Sequence, residues 1–379
     1  MNICFVTHYS DLYGANRSML DLCDGLLEKG NNQVSIIGPM EGDIIAACEK
    51  RKIEYVKNKC VLEYYNKKYN LLWGIGKFIL SLLNALRLYY SMRKKGIDIV
   101  HSNSSVVFLG AYLAFLLRKP HVWHIREFGD EDYYIRYYFG DKYFYYLLKK
   151  SYPVAISKSI YEKRLSCVED RRKIQIYNGV VWSKNLISKK ISRFGENICF
   201  GVVGAITQSK NQMEALQAFE LFQAKYPDSK LIFVGGEYEK SYTEKLKDHI
   251  RTNNIENVSF TGFVTNVNHF YNQIDVLIMC SHHEALGRVT IEAMAQSVLA
   301  IGYDNAGTSE IIKNNYNGYL YQDSYHQLFE KMISVVNTDQ SNIISNALDS
   351  VKENYAIEKY VENMLSFYRK CINAYNGIH

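Results

Sequence analysis

The sequence predicts an α/β protein made of two doubly wound, Rossmann-like halves joined near residue 185. Three observations predict it. Short apolar runs of strand length alternate along the chain with longer stretches whose apolar residues recur at helical spacing. The first 38 residues already read strand, helix, strand, and two strands joined by a crossover helix must run parallel. A second such series opens at Ile198 after a polar, Lys-rich stretch, and no repeat of solenoid length is present.

The elements follow in order. Asn2–Thr7 (ICFVT) is a buried strand, and the polar turn His8-Tyr9-Ser10-Asp11 leads to a helix starting near Gly14. That helix has Met19, Leu22, Cys23 and Leu26 on one face. Gly30 and the following asparagines stop it, and Gln33–Gly38 is the next strand. Further strands are expected at Ile97–His101, Pro120–Ile125, Val154–Ser157 and Lys173–Tyr177, with helices at Leu71–Met92 and Val106–Leu117. Residues 178–195 read as a linker. The second half has strands at Ile198–Val203, Leu231–Gly235, Val258–Thr261, Val276–Met279 and Leu299–Gly302. Between them lie helices at Gln212–Tyr226 and Tyr242–Asn253 and one carrying Glu292. Amphipathic turns from Ile357 to Ala374 close the chain. In doubly wound sheets ligands bind at the carboxyl ends of the strands, so two halves place the expected site in the cleft between them.

Composition narrows the class. The chain has 379 residues, 47% apolar and 14% aromatic with 32 Tyr, which excludes a disordered or low-complexity protein. Its eight cysteines are scattered without a CxxC pair, which argues against a zinc site and a disulfide framework. The opening MNICFVTHYS lacks the features of a signal peptide, and Leu71–Met92 is interrupted by Lys77, Asn84 and Arg87, so a cytoplasmic protein is expected. The formal charge of +6 is unevenly spread. Residues 51–200 hold 28 Lys/Arg against 12 Asp/Glu, and the remainder 17 against 27. The basic region reads either as ordinary solvated faces or as a surface for an anionic acceptor or membrane.

The most specific segment is His283-Glu284-Ala285-Leu286-Gly287-Arg288-Val289-Thr290-Ile291-Glu292. It follows a strand, and the amides of Arg288 and Val289 open a helix after Gly287. Such an end suits a diphosphate, and a carboxylate on either side of it suits sugar hydroxyls. The plainer alternative is that both glutamates merely favour the start of a helix.

This segment resembles the E-x7-E motif of the retaining glycosyltransferases of family 4, which have the GT-B fold: two Rossmann-like domains facing across a cleft. Asp304-Asn305-Ala306-Gly307-Thr308-Ser309-Glu310, Phe260-Thr261-Gly262-Phe263-Val264, Phe233-Val234-Gly235-Gly236 and Tyr177-Asn178-Gly179-Val180 look like that family too. The resemblance spans the chain and is strongest over residues 200–320. It implies an acceptor-binding domain at 1–185, with the helix at 357–379 packing back on it, and a nucleotide-sugar domain at 186–356. It also implies transfer of a sugar from a UDP- or GDP-sugar to a glycan or lipid-linked acceptor, by a hexosyltransferase in bacterial cell-surface polysaccharide synthesis. Glu284 would contact the transferred sugar and Glu292 the ribose, and the amides of Gly287–Val289 would hold the diphosphate. Gly204 and Lys210 match the phosphate loop, with Lys210 as the cation on the leaving phosphates, and Val264 and Gly14 line the donor site. His124 matches a histidine close to the reacting carbon, with His101 its competitor. No cofactor and no metal are implied. Three positions depart from the family: Ala205 where an arginine is usual, Val181 where an aspartate is common, and Ser297 where a glycine is usual. Arg288 stands close enough in sequence to replace the missing cation.

Residues 118–152 interleave cations with aromatics, including Trp123, Tyr134, Tyr137, Phe144 and Tyr146. They read either as a partly buried aromatic element or as an interfacial surface, to which Leu71–Met92 with Arg93-Lys94-Lys95 at its end would add. Peripheral attachment to the inner face of the cell membrane follows from the second reading. Asp130-Glu131-Asp132 reads as surface rather than as a metal triplet. The rivals are a sugar-nucleotide epimerase or phosphorylase of similar fold and a nucleic-acid-binding protein. No nucleic-acid motif is present, so no nucleic-acid partner is expected.

Overall fold

The computed structural model describes residues 1–59, 61–65, 70–129, 134–189, 194–264 and 266–377. Cys60, Tyr133, the run Asp130-Glu131-Asp132 and residues 190–193 of the expected linker lie outside them. The chain forms two compact units, Met1–Gly179 with Ile357–His379, and Val180–Ala356.

The first unit runs β1 (Asn2–Val6), α1 (Gly14–Glu28), β2 (Gln33–Gly38), α2 (Asp43–Lys50), β3 (Glu54–Lys57), β4 (Tyr64–Tyr65), α3 (Leu71–Met92), β5 (Ile99–Ser102), α4 (Leu109–Leu117), β6 (His121–Ile125), β7 (Arg136–Tyr137), α5 (Gly140–Lys150), β8 (Tyr152–Ala155), α6 (Lys158–Leu165) and β9 (Ile174–Gln175). Seven strands form one parallel sheet in the order β3-β2-β1-β5-β6-β8-β9, while β4 and β7 make a separate antiparallel pair. Ile3, Phe5, Ile99, Val122 and Trp123 are fully buried, as expected of central strands covered on both faces. The winding reverses between β1 and β5, which pair from Ile3↔Ile99 to Val6↔Ser102.

The structure adds α2, β3, β4, β7, α5 and α6 to the elements expected from the sequence, and two of the expected ones start elsewhere for a local reason. α4 starts at Leu109 rather than Val106, because Ser102 Oγ and Ser104 O tie residues 104–107 into a turn. β8 starts at Tyr152, taking in Pro153. A proline cannot donate to a ladder. The neighbouring strand β9 reaches only Val154 and Ala155, so Pro153 faces no partner on that side.

The second unit runs β10 (Cys199–Val203), α7 (Gln212–Gln223), β11 (Lys230–Val234), α8 (Lys240–Thr252), β12 (Val258–Phe260), α9 (Asn268–Tyr271), β13 (Val276–Met279), α10 (Arg288–Ala295), β14 (Leu299–Tyr303), α11 (Ala306–Ile311), β15 (Tyr319–Tyr321), α12 (Tyr325–Asn337) and α13 (Ser341–Asn354). Its parallel sheet has the order β12-β11-β10-β13-β14-β15, and the winding reverses between β10 and β13. Phe200, Phe219, Phe222, Leu231 and Phe233 fill one side of the sheet.

Residues 180–189 are bonded into this unit rather than hanging as a free linker. The Val180 amide donates to Tyr355 O, Val181 bridges Ala356, and the Ile187 amide donates to Ala295 O at 2.9 Å. Residues 180–185, placed with the first half by the sequence pattern, therefore fold with the second. Ser297 explains its own departure from glycine. It takes the left-handed conformation after α10 (φ +59°) that glycine would take easily. Its hydroxyl donates to Ile187 O at 2.7 Å and accepts from the Lys189 amide at 3.0 Å, two bonds a glycine cannot make.

The last helix, α14 (Ile357–Asn376), belongs to the first unit. It buries Tyr360, Val361, Met364, Tyr368 and Cys371 and packs on α1. The two helices close at Gly25, where an added Cβ would stand 2.3 Å from Val361 Cγ2. Gly25→Leu is expected to force them apart and cost about 1–3 kcal/mol of stability by overpacking. Urea titration of the variant against the parent checks this, and an unchanged midpoint would contradict the packing.

Candidate active site

In a doubly wound sheet the loops leaving the two strands at the winding reversal diverge and open a crevice. In the second unit those loops follow β10 and β13, and they carry Gly204–Asn211 and Cys280–Gly287. Side chains stitch them together. Lys210 Nζ donates to Glu284 Oε2 at 2.5 Å, Ser281 Oγ to Ser209 O at 3.1 Å, and Asn211 Nδ2 meets His282 Nε2 at 3.2 Å. The ammonium and carboxylate singled out in the sequence are thus brought together, each with part of its side chain open to solvent.

Neighbouring residues hold this arrangement, and of these Glu214 and Gln212 are buried. Glu214, on the first turn of α7, accepts from Asn211 Nδ2 at 2.5 Å and faces His282 Nε2 at 3.2 Å. The His282 ring lies on Tyr303 with centroids 3.8 Å apart, and Asn305 Nδ2 donates to His282 O. Gln212 donates to the carbonyl of Ala205, the position without the arginine. The Gly307 amide donates to Glu284 O, and a Cβ at Gly307 would stand 2.5 Å from Leu286 Cα, so α11 can lie against the 284–287 loop only with glycine there.

Gly287 takes φ +90° and turns the chain from that loop into α10. Arg288, the first residue of α10, bonds Glu292 Oε1 through Nε at 2.8 Å and reaches towards Val180 O at 3.4 Å. Tyr271 Oη donates to Glu292 Oε2 at 3.1 Å. Arg288 is therefore held against Glu292, the second glutamate of the motif. Gly204 has φ +146° with space around its Cβ position, beside the end of β11. Val264 and Val289 pack on the same small cluster, around Val203, Val234 and Tyr271. Gly204, Lys210, Val264, Glu284, Gly287, Arg288, Val289 and Glu292 thus all lie in one unit, around the carboxyl ends of β10, β11, β12 and β13.

Gly14 and His124 belong to the first unit. Gly14 is exposed at the start of α1, with no atom within 4 Å of its Cβ position. His124 ends up fully buried in a chain of rings: Tyr368 Oη lies 2.6 Å from His101 Nδ1, and His101 Nε2 lies 3.1 Å from His124 Nδ1. His124 Nε2 has no hydrogen-bond partner among the described residues. Next to it Arg126 bonds Asn103 and Asn178, and Glu127 accepts from Ser104 Oγ and from the amide and hydroxyl of Ser105. Of the aromatics of residues 118–152, Trp123, Tyr137 and Phe144 stack into the core, while Tyr134 and Tyr146 are exposed. Among the described residues no group of three His, Cys, Asp or Glu converges as a metal site.

The sequence reading missed Glu214, His282, Tyr271, Gly307 and Ser297 as supports of the site. Gly307 lay in a family-like segment, Ser297 stood where a glycine is usual and His282 directly precedes the motif, whereas nothing in the sequence pointed to Glu214 or Tyr271.

With this geometry in view, residues 183–350 match the family described as glycosyl transferases group 1, and residues 13–180 that described as glycosyltransferase family 4. The chain belongs to the group 1 glycosyltransferases of GT-B fold and is an enzyme of the hexosyltransferase class. It is similar to the capsular polysaccharide biosynthesis glycosyltransferase CapM of Staphylococcus aureus, 25% identical over 78% of this chain and 82% of the relative. It is similar also to the alpha-monoglucosyldiacylglycerol synthase of Acholeplasma laidlawii, 23% identical over 76% and 79%. Among solved structures, Anabaena HepE in complex with UDP and glucose superposes with a TM-score of 0.76 at 16% identity, covering 96% of this chain and 98% of that one. That likeness is one of fold.

The buried imidazoles make the first unit sensitive to acid. Burial drives His101 and His124 well below the ordinary histidine value, and the Arg126 charge adds to it. Burial also lowers His121 to about 3 and His8 to about 4. These rings are neutral in the fold but protonate in the unfolded chain below about pH 6.5, so the unfolded state binds more protons there. Their contribution is complete above that pH and is lost as pH falls towards about 4 for His8 and about 3 for His121. Each adds a slope of up to about 1.4 kcal/mol per pH unit. The urea midpoint followed by tryptophan fluorescence should fall between pH 7.5 and pH 5, and the fall should shrink in His121→Gln. A flat profile would contradict neutral burial.

Proposed function

We propose that the protein is a retaining glycosyltransferase that moves a hexosyl group from a UDP- or GDP-sugar to a glycan or lipid-linked acceptor in bacterial cell-surface polysaccharide synthesis, working at the inner face of the cell membrane. The observation that carries the reading is the meeting of Lys210 and Glu284 across the winding reversal, beside the helix that opens at Gly287.

In this proposal the nucleoside diphosphate lies at the amide end of α10, held by Gly287, Arg288 and Val289, with Gly204 leaving room for its phosphates. Lys210 exchanges its contact with Glu284 for the phosphate oxygens, and Glu284 turns to the hydroxyls of the sugar. Glu292, already oriented by Arg288 and Tyr271, accepts from the ribose, and Val264 lines the base side. The acceptor hydroxyl attacks the anomeric carbon from the side the phosphate leaves. The carbon–oxygen bond to phosphate breaks with its electron pair on the leaving group, and the acceptor proton passes to a phosphate oxygen. Charge grows on the diphosphate as it departs, so a fixed ammonium and helix amides favour the transition state over the ground state. These groups carry the charge without a cofactor or metal. The similarity to a capsular polysaccharide enzyme and to a lipid glycosyltransferase supports the acceptor class.

Lys210→Ala and Glu284→Ala are each expected to lower transfer by about 10²–10³-fold, the range for removing one transition-state contact. Nucleotide release in the presence of acceptor extract measures the loss, and circular dichroism should stay unchanged. Normal turnover in either variant would overturn the site. Conversion of the nucleotide sugar without any acceptor would favour an epimerase.

A further inference from the structure

α3 is built inside out. Its inward face is made of small residues, with Gly74, Ser81 and Ala85 buried along with Leu88 and Met92. Its outward face carries Leu72, Ile79, Leu83, Leu86 and Tyr90, spaced seven, four, three and four residues apart, which is one stripe of a helix. Leu72 is 79% exposed, Leu83 56% and Tyr90 63%. A helix facing water carries its charges outward, and a contiguous apolar stripe of this length marks an interaction surface. The helix cannot simply be turned over, because a Cβ at Gly74 would stand 2.6 Å from the Tyr138 ring, so only a small residue fits there.

The charges around the stripe identify what covers it. No Asp or Glu occurs between Asn70 and Asp98, whereas Lys77, Arg87, Arg93, Lys94 and Lys95 do. The guanidinium of Arg93 lies over the Tyr90 ring at 5.1 Å. α4, which packs against α3, adds Phe115, 81% exposed, and is followed by Arg118 and Lys119. Lys95 is paired with Glu54, which leaves Lys77, Arg87, Arg93 and Lys94 beside the stripe, and an apolar stripe with such an excess of cations complements an anionic bilayer. A second copy of the same face would bring like charges together. Trp73, 67% exposed, and Tyr90 stand near opposite ends of the helix, and both residue types prefer headgroup depth.

We infer that the first unit docks on an anionic phospholipid surface through the outward face of α3, with the helix lying in the membrane plane. The helix is long and apolar enough to span a bilayer by length and composition. Its seated inner face and the bond from Asn84 Nδ2 to Lys59 O keep it within the fold instead. This deepens the membrane part of the proposed function by naming the element and the partner, and it does not depend on the donor chemistry.

Flotation of the full chain tests it, using phosphatidylcholine vesicles with and without one third phosphatidylglycerol. The wild type should float with the anionic vesicles, less so at high salt and hardly at all with neutral ones, and its tryptophan emission should shift to the blue. Leu72→Glu/Leu83→Glu should bind at least about tenfold more weakly, with unchanged circular dichroism and unchanged nucleotide release on a water-soluble acceptor. Trp73→Phe should float but lose most of the blue shift. Nucleotide release reports on the proposed reaction separately, so failure of flotation and failure of transfer are distinguishable. A wild type that stays unfloated at low salt, or a double variant that floats like it, would overturn the inference. A dimer in sedimentation velocity that the double variant abolishes would assign the face to a second copy and overturn it as well.

Discussion

A parallel sheet wound in both directions leaves one gap, where the strand that starts the winding lies beside the strand that reverses it. The loops leaving those two strands part company, and nothing in the backbone holds them together. In the second unit that gap lies between β10 and β13, and the side chains of Lys210, Ser281 and Asn211 close it. The rest of the site depends on this stitching. Glu214 and His282 orient the loops from below, the Gly307 contact fixes the height of the 284–287 segment, and Gly287 aims α10. An ion pair with some exposure contributes little to stability, about 0–1 kcal/mol. Its value is positional: it keeps a cation and a carboxylate at the mouth of a helix N-terminus.

The first unit solves a different problem. Its sheet carries histidines on two central strands, and burial keeps them neutral. Tyr368 on the returning helix reaches in to satisfy His101, so the end of the chain completes the polar interior of its beginning. Arg126 and Glu127 at the end of β6 have their hydrogen bonds met by Asn103, Asn178, Ser104 and Ser105. A buried charge left without such partners would be costly. Within this network His124 Nε2 is left without a hydrogen-bond partner among the described residues.

Much of this was legible in the sequence because period and length carry it. The strands from ICFVT to VLIM read directly, since central parallel strands are continuous apolar runs. The glutamate pair could be singled out because Glu284 follows a strand and Glu292 lies in the first turns of the next helix, while Lys210 was named through the family resemblance. What was not legible depends on contacts far apart in sequence. Nothing local joins Glu214 to His282, Gly307 to Leu286, or Ser297 to Ile187. The linker reading failed because polar composition does not reveal backbone bonds to Tyr355 and Ala295. The aromatic stretch was ambiguous for a related reason. Tyr and Phe look alike in a pattern whether they stack inward like Phe144 or face water like Tyr146. The basic surplus of residues 51–200 lies mostly in the first unit, and α3 contributes to it on an otherwise apolar surface.

In the proposed function the stitched loops at the β10–β13 reversal receive the nucleoside diphosphate. Hydrogen exchange with and without UDP or GDP tests it most directly, because amides that take up phosphate or are stilled by it exchange more slowly. Added protection is expected in residues 204–211 and 284–292 together, with the core strands unchanged. Protection confined to other segments, or absent with both nucleotides at saturating concentration, would contradict it.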